Sequence, residues 1–181
     1  AKIKIRQGKK EIAAEEIENE LLDTVNLDNK QKIDMYLELG NLYIEDKKTD
    51  EGVDLIEKAI EISTKDATDS IAVTTLNNAW GIYNANGLSQ QNFTTQLKAL
   101  DNSIKTNNVQ LSSAANYNLG NSYIEEDPEL AVTYFEASAE LTKEKPKEVD
   151  HIKAVERLSE AYEKSGEYAK ALEKYKEYIS L

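Results

Sequence analysis

Few side chains in this sequence have the types and spacing that chemistry requires. The single histidine, His151, follows Asp150 near the start of a predicted helix, and no serine or cysteine motif accompanies it. One histidine by itself builds neither a metal site nor a nucleophilic centre. We therefore interpret His151 as a structural or exposed residue.

Paired acids are the next candidates, because a glycosidase needs two carboxyl groups on either side of a cleft. Glu15-Glu16 and Glu125-Glu126 are such pairs, but adjacent acids are common on the solvated faces of helices. Residues 46–52 contain two lysines among their acids and lack the alternating ligands of a calcium loop. No glycine belongs to a phosphate-binding pattern, and there is no cysteine. We expect no enzymatic activity, no metal and no cofactor.

The charge of the chain restricts the class of partner. Its 181 residues include 34 acidic and 22 basic side chains, a net charge of −12. Binding to nucleic acid or to an anionic membrane needs clustered lysine and arginine, so we expect neither. The chain begins at Ala1 with neither an initiator methionine nor a signal peptide, which suggests a section of a longer protein. The cytoplasm is the favoured compartment, or the periplasm if the section belongs to a sensor kinase.

The chain repeats itself with a period of about 40 residues. Each repeat has a large residue, then a small one, and usually a tyrosine three positions later. The small residues are Gly40, Gly81, Gly120 and Ser159, spaced by 41, 39 and 39. A polar break and a second apolar run at helical spacing follow each of them. The sequence therefore predicts helix-turn-helix pairs in which the small residues let two helices approach closely.

The same patterns set the expected element boundaries. Helices are predicted at about 1–7, 10–24, 30–45, 49–64, 67–86, 90–107, 110–125, 128–143, 148–164 and 167–180. We expect one domain made of a partial repeat at 1–28 and full repeats at 29–66, 67–108, 109–146 and 147–181.

These repeats resemble the tetratricopeptide repeat (TPR) family, whose signature combines a bulky residue, Leu-Gly, Tyr, and then Ala, Phe or Tyr, and Ala. The first full repeat matches it at Tyr36, Leu39, Gly40, Tyr43, Gly52, Ile56 and Ala59, and the last at Leu158, Tyr162, Gly166, Tyr168, Ala171 and Tyr175. The third matches at Leu119, Gly120, Tyr123, Ala131, Phe135 and Ser138. The second keeps Trp80 and Gly81 but has Tyr83 one position early. The long period is similar to that of the lengthened repeats in bacterial sensor histidine kinases and regulators.

The resemblance implies an all-α, right-handed solenoid of antiparallel helix pairs, and it places a partner in the concave groove lined by the first helix of each pair. The implied groove residues are Leu37, Asn41, Ile44, Asn78, Ile82, Tyr117, Asn121, Ile124, Glu156 and Glu160. Asn41 and Asn121 occupy equivalent places, where an amide offers both a donor and an acceptor to a peptide backbone. The alternative interpretation is that these asparagines are polar helix residues with no role in binding. Leu37 and Tyr117 stand where related domains have carboxylate-binding lysines, which disfavours recognition of a C-terminal carboxylate.

Together these observations predict a non-enzymatic scaffold that binds a neutral to basic protein or peptide. We expect it to be the sensory or interaction section of a larger bacterial signalling protein. The alternative is a self-association module, with a possible homodimer, that stacks through its exposed terminal helices. Residues 67–124 hold only four charged side chains, Asp69, Lys98, Asp101 and Lys105. This depletion indicates either a contact surface or compositional drift.

Overall fold

The computed structural model describes residues 10–22, 27–66 and 69–181. Within these ranges the chain forms nine α-helices and no strand: α1 (Lys10–Leu22), α2 (Asn29–Glu45), α3 (Thr49–Asp66), α4 (Asp69–Ala85), α5 (Ser89–Thr106), α6 (Val109–Tyr123), α7 (Pro128–Thr142), α8 (Val149–Lys164) and α9 (Tyr168–Ser180). The predicted all-α class is confirmed. Every described helix end lies within two residues of its predicted position. The helix predicted over 1–7 lies outside the described residues.

The chain divides into two compact units, residues 1–91 and 92–181, and the division falls inside α5. In the first unit α1 packs on α2, α2 on α3, and α3 on α4, while α2 also contacts α4. In the second unit α6, α7, α8 and α9 pack consecutively, and α6 also contacts α8. Contacts between alternate helices as well as neighbours are the pattern of stacked helix pairs. The repeat boundaries and the assignment to one domain remain predictions.

Side-chain caps determine where several helices begin. Asp28 accepts a hydrogen bond from the backbone N–H of Gln31 at 2.7 Å, and the Gln31 side chain accepts one from the Asp28 N–H at 3.0 Å. This reciprocal capping box starts α2. Asp127 caps α7 by accepting a single hydrogen bond from the backbone N–H of Leu130 at 3.0 Å, with Pro128 in the first turn.

Four helices end in a common turn. The backbone N–H of Lys48, Leu88, Asn108 and Glu167 donates to the carbonyl five residues earlier, at 2.8–2.9 Å. The residue before each of these donors is left-handed, with positive φ, as the Schellman motif requires. These left-handed residues are Lys47 (φ 65°), Gly87 (69°), Asn107 (54°) and Gly166 (84°).

Each unit has its own apolar core between its helices. In the first unit the larger cluster contains Ile33, Leu37, Ile44, Ile56 and Tyr83, all buried. In the second unit Phe135, Ala154, Val155, Leu158 and Tyr162 are among the buried residues that join α7, α8 and α9. These aliphatic and aromatic side chains supply most of the favourable free energy of folding.

Polar side chains fill much of the interior around α5 and α6. Gln96 is fully buried, and its side chain accepts a hydrogen bond from Asn118 and donates one to Asn92, both at 3.3 Å. The hydroxyls of Ser103 and Ser112 lie 2.6 Å apart. Buried polar groups need such partners, because their desolvation is otherwise costly. Part of the uncharged polar composition of residues 69–124 is therefore internal.

The expected close approach of paired helices is confirmed at three of the four small residues. A Cβ added to Gly40 would lie 2.8 Å from the Gly52 carbonyl oxygen, and one on Gly120 would lie 2.6 Å from the Phe135 ring. The Ser159 hydroxyl donates to the Ala171 carbonyl at 2.9 Å. Gly81 differs, because an added Cβ would meet no described atom within 4 Å.

The two glycines should therefore respond oppositely to alanine. Gly40→Ala introduces an overlap costing about 1–3 kcal/mol, which exceeds the roughly 0.5–1 kcal/mol that alanine gains in a helix. Gly81→Ala keeps that gain without the overlap and should raise the free energy of unfolding by about 0.5–1 kcal/mol. Urea denaturation of both variants measures the difference. Equal effects would contradict the close approach at Gly40.

Lys47 provides a second test of the backbone. A left-handed conformation costs a non-glycine residue about 1–2 kcal/mol, so Lys47→Gly should stabilise the chain by about 0.5 kcal/mol after the entropic cost of glycine. Asn107→Gly is the matched control with a smaller expected gain, since asparagine tolerates this region better. A loss of thermal stability in Lys47→Gly would reject this account of the turn.

Candidate functional site

A cleft of about 630 Å³ lies between α2 and α4 in the first unit. It is lined by Asp34, Leu37, Glu38, Asn41, Glu45, Asn77, Asn78, Gly81, Ile82, Ala85 and Asn86. Three of these residues are carboxylates, four are asparagines, and none is lysine or arginine. The lining therefore attracts positive charge and offers many amide donors and acceptors.

The α2 wall carries the carboxylates. Asp34, Glu38, Asn41 and Glu45 follow one another at intervals of four, three and four residues, which places them along one helix face. The Asn41 amide donates to Glu45 at 3.0 Å. Glu45 also forms an ion pair with Lys10 at the start of α1, so the end of this wall is partly neutralised.

The α4 wall is uncharged. Asn86, just after α4, donates to the Asn41 side-chain oxygen at 3.3 Å and to the Ile82 carbonyl at 2.8 Å. These bonds link the two walls and hold Asn41 in place, while its amide can still make further hydrogen bonds. Leu37 and Ile82 supply the apolar part of the lining.

The cleft brings together four of the five groove residues predicted in the first unit. Leu37, Asn41, Asn78 and Ile82 all line it. Ile44 does not, because it is buried in the core beside Gly52 and has only 7% of its surface exposed. Its side chain packs between α2 and α3, and its place in the groove remains a prediction.

Five polar lining residues were not found from the sequence: Asp34, Glu38, Glu45, Asn77 and Asn86. For the three acids a signal was present, because they extend from Asn41 in both directions at helical spacing. The two asparagines had no comparable signal, since the turn after α4 determines where Asn86 lies.

In the second unit the predicted residues gather around an arginine that the sequence analysis did not single out. Arg157 donates from Nε to the Asn121 side-chain oxygen at 2.8 Å and pairs with Glu160. Its guanidinium lies 5.9 Å from the centre of the Phe135 ring, which also contacts Tyr117 edge-on at 5.8 Å. The predicted groove residues Asn121 and Glu160 therefore lie beside a cation.

The remaining predicted residues of this unit have other surroundings. The negative charge of Glu156, together with a hydrogen bond between the side chains, raises the pKa of Tyr178. Ile124 is only 3% exposed and belongs to the apolar core, and its place in the groove remains a prediction.

His151 is buried, with Nδ1 3.0 Å from the Thr142 hydroxyl and Nε2 3.9 Å from Glu177. These contacts between α7, α8 and α9 fit a structural residue.

The described ranges contain neither a membrane-spanning helix nor a cluster of metal ligands. None of their helices combines the length and apolar composition needed to cross a membrane. Across residues 10–22, 27–66 and 69–181, no three acidic or histidine side chains converge as metal ligands would.

Comparison with known sequences decides the family. Residues 4–180 match the model of the family described as soluble NSF attachment protein, SNAP. The chain belongs to the SNAP family. No match to it was found among curated protein sequences.

Solved structures place this SNAP-family chain among TPR-like folds. A putative kinesin light chain with TPR-like repeats from Podosopora anserina superimposes with a TM-score of 0.61 at 17% identity, over 97% of this chain and 87% of that one. The apo form of RapI superimposes with a TM-score of 0.68 at 19% identity, over 96% of this chain and 49% of that one. A Rap conjugation gene regulator of plasmid pLS20, in complex with the Phr* peptide, superimposes with a TM-score of 0.59 at 19% identity, over 92% of this chain and 46% of that one. The predicted solenoid of TPR-like helix pairs is confirmed as the fold class.

The contact of Arg157 with Asn121 can be measured in this SNAP-family chain. Each of Arg157→Ala and Asn121→Ala should lower the free energy of unfolding, and a double-mutant cycle should give a coupling of about 0.5–1.5 kcal/mol, the net value of one hydrogen bond. Pairing Arg157→Ala with Asn116→Ala, whose amide bonds the Ser112 carbonyl of its own helix, is the control. If the effects of Arg157→Ala and Asn121→Ala on the free energy of unfolding simply add, the contact does not contribute to stability.

Proposed function

We propose that the chain is a non-enzymatic scaffold that binds an extended peptide segment of a partner protein, neutral to basic in charge. The observation that carries this proposal is the lining of the cleft between α2 and α4. Three carboxylates and four asparagines line it, and lysine and arginine are absent from that lining. Amides satisfy the backbone of an extended chain, and carboxylates attract its basic side chains.

The spacing of the α2 wall fits such a ligand. Asp34 and Glu38 are four helical residues apart, which is about 6 Å along the helix axis. Alternate side chains of an extended peptide project from the same side about 6.6 Å apart. A peptide running along α2 with basic residues at alternate positions therefore meets both carboxylates. Asn78 and Ile82 lie on the opposite wall, where they contact the backbone and the aliphatic parts of its side chains.

The family and the structural relatives support a role in binding other proteins. The family description names an attachment protein. One Rap relative was solved with a bound peptide and is described as a gene regulator. This chain spans about half the length of the two Rap proteins compared above. On this basis we propose that it works as the sensory or interaction section of a larger bacterial signalling protein.

The second unit contributes in a different way. Tyr117, Asn121, Glu156 and Glu160 remain candidate contacts, but the Arg157 guanidinium already bonds two of them. A basic ligand side chain that reaches Glu160 has to replace Arg157 there. We therefore assign the principal site to the cleft of the first unit.

The test uses labelled peptides of alternating Ser and Lys, Ser and Gln, or Ser and Glu, with fluorescence anisotropy as the readout. The Lys peptide should bind at least about tenfold more tightly than the Glu peptide, and raising the salt concentration should reduce this preference. Asp34→Asn with Glu38→Gln should remove most of it. Asn78→Ala should weaken the Lys and Gln peptides alike, because it acts on the backbone.

A matched pair of substitutions separates the cleft from the net charge of the chain. Asp54→Asn with Glu61→Gln makes the same change in charge on α3, in the same unit, but outside the cleft lining. This control variant should bind all three peptides as the unchanged chain does. If it loses the preference for the Lys peptide as Asp34→Asn with Glu38→Gln does, the attraction is non-specific and the assignment of the cleft fails.

A further inference from the structure

The two helices that form the cleft of the first unit, α2 and α4, have counterparts in the second unit, α6 and α8. Helix α2 contacts α4, and α6 contacts α8. Both pairs bury residues at corresponding positions. From α2 to α6 the offset is 80 residues, with Leu39, Gly40 and Ile44 matched by Leu119, Gly120 and Ile124. From α4 to α8 it is 79 residues, with Ala72, Leu76 and Tyr83 matched by His151, Val155 and Tyr162.

This register shows where the two units differ. On the first wall the polar residues are kept, because Asn41 and Glu45 correspond to Asn121 and Glu125. On the second wall they are not. Asn78 and Ala85, which line the cleft of the first unit, correspond to Arg157 and Lys164. The second unit therefore has two cations at places where the first unit has neutral residues.

Both cations reach across from α8 to α6. Arg157 donates from Nε to the Asn121 side-chain oxygen at 2.8 Å, and the Lys164 ammonium lies 3.0 Å from the Glu125 carboxylate. Arg157 also pairs with Glu160 on its own helix. We call this surface the α6–α8 strip, and it consists of Tyr117, Asn121, Glu125, Arg157, Glu160 and Lys164.

The contacts of Arg157 are those that a bound arginine would make. Its guanidinium bonds an amide oxygen and a carboxylate and lies 5.9 Å from the centre of the Phe135 ring. A guanidinium donates in several directions at once and is attracted to aromatic faces, so this combination suits arginine better than lysine. The α6–α8 strip is thus a basic-side-chain site that the chain fills with its own residues.

Both cations remain partly exposed. The side chains of Arg157 and Lys164 are 28% and 33% exposed, and that of Glu125 is 74% exposed. Ion pairs at such exposure add little to stability, and exposed side chains change rotamer within nanoseconds. A ligand side chain can therefore take their places while α6 and α8 keep their positions.

We propose that the α6–α8 strip is a second site for basic segments of a partner protein, held closed by Arg157 and Lys164 of the chain itself. The inference extends the proposed function to the second unit and rests on the same class of ligand. An arginine of the partner enters by replacing Arg157 at Asn121 and Glu160. The strip prefers arginine to lysine, whereas the cleft of the first unit, with no aromatic residue in its lining, does not.

Isothermal titration calorimetry counts the sites. The opened variant, Arg157→Asn with Lys164→Ala, has the residues of the first cleft at both positions. It should bind one more molecule of an alternating Ser and Arg peptide than the unchanged chain binds. At this added site an alternating Ser and Lys peptide should bind about three- to tenfold more weakly. Adding Asn121→Ala to the opened variant should weaken the added site by about fivefold or more.

A matched control removes two positive charges elsewhere in the second unit. Lys143 and Lys170 each pair with a glutamate, as Arg157 and Lys164 do, but lie outside α6 and α8. Lys143→Asn with Lys170→Ala should leave the number of bound peptides unchanged. An added site in this control, or none in the opened variant, would overturn the proposal.

A single substitution keeps the test available if Arg157→Asn prevents folding. Lys164→Ala removes only an exposed ion pair, so the chain stays folded. In titrations at millimolar peptide, its second site should bind the Arg peptide about threefold more tightly than that of the unchanged chain, and equal binding would contradict the proposal.

The number of sites also separates this inference from the proposed function. If the first cleft binds nothing, the opened variant still gains one site. If the strip is not a site, the opened variant and the unchanged chain both keep the one site of the first cleft.

Discussion

The close approach of paired helices at Gly40, Gly120 and Ser159 is the constraint on which the rest of the structure depends. Gly40 and Gly52 lie so close that a Cβ on either would overlap the backbone of the other helix. Gly120 gives the same proximity to an aromatic ring, Phe135. With no side chain between them, the helices of a pair approach closely, and the large residues on either side interdigitate. This fixes which face of each first helix is buried and which stays open.

The candidate site is a consequence of this arrangement. Because one face of α2 is committed to α3, Ile44 points into the core, and Asp34, Glu38 and Asn41 line the cleft beside α4. Where no close contact is required, as at Gly81, the small residue borders the cleft instead. The same first helix therefore provides both core packing and a polar surface, on adjacent faces.

Much of the fold could be predicted because its signals are local. Helical spacing, the capping Asp28 and the Asp127-Pro128 pair determine where helices begin, and these need only a few neighbouring residues. The left-handed turns were harder to predict, because Lys47 and Asn107 occupy positions where glycine is the usual signal. In the site, Asn41 and Asn78 were found from their repeat positions. Glu45 and Asn86 were not, because their roles depend on a hydrogen-bond network that joins two helices.

The sequence by itself determined the all-α class and the spacing of the helices, since apolar periodicity recurs in every repeat and small residues let the paired helices approach at Gly40, Gly120 and Ser159. Tertiary structure alone decided which polar groups face each other. Arg157 reaches Asn121 across 36 residues and also pairs with Glu160, so a cation lies among the groove residues predicted in the second unit. It also decided that Asn92, Thr95, Gln96 and Ser103 of α5 are buried, while Tyr168, Leu172, Tyr175 and Ile179 of α9 are exposed. Burial depends on what packs against a face, and a helix's own pattern does not contain that information.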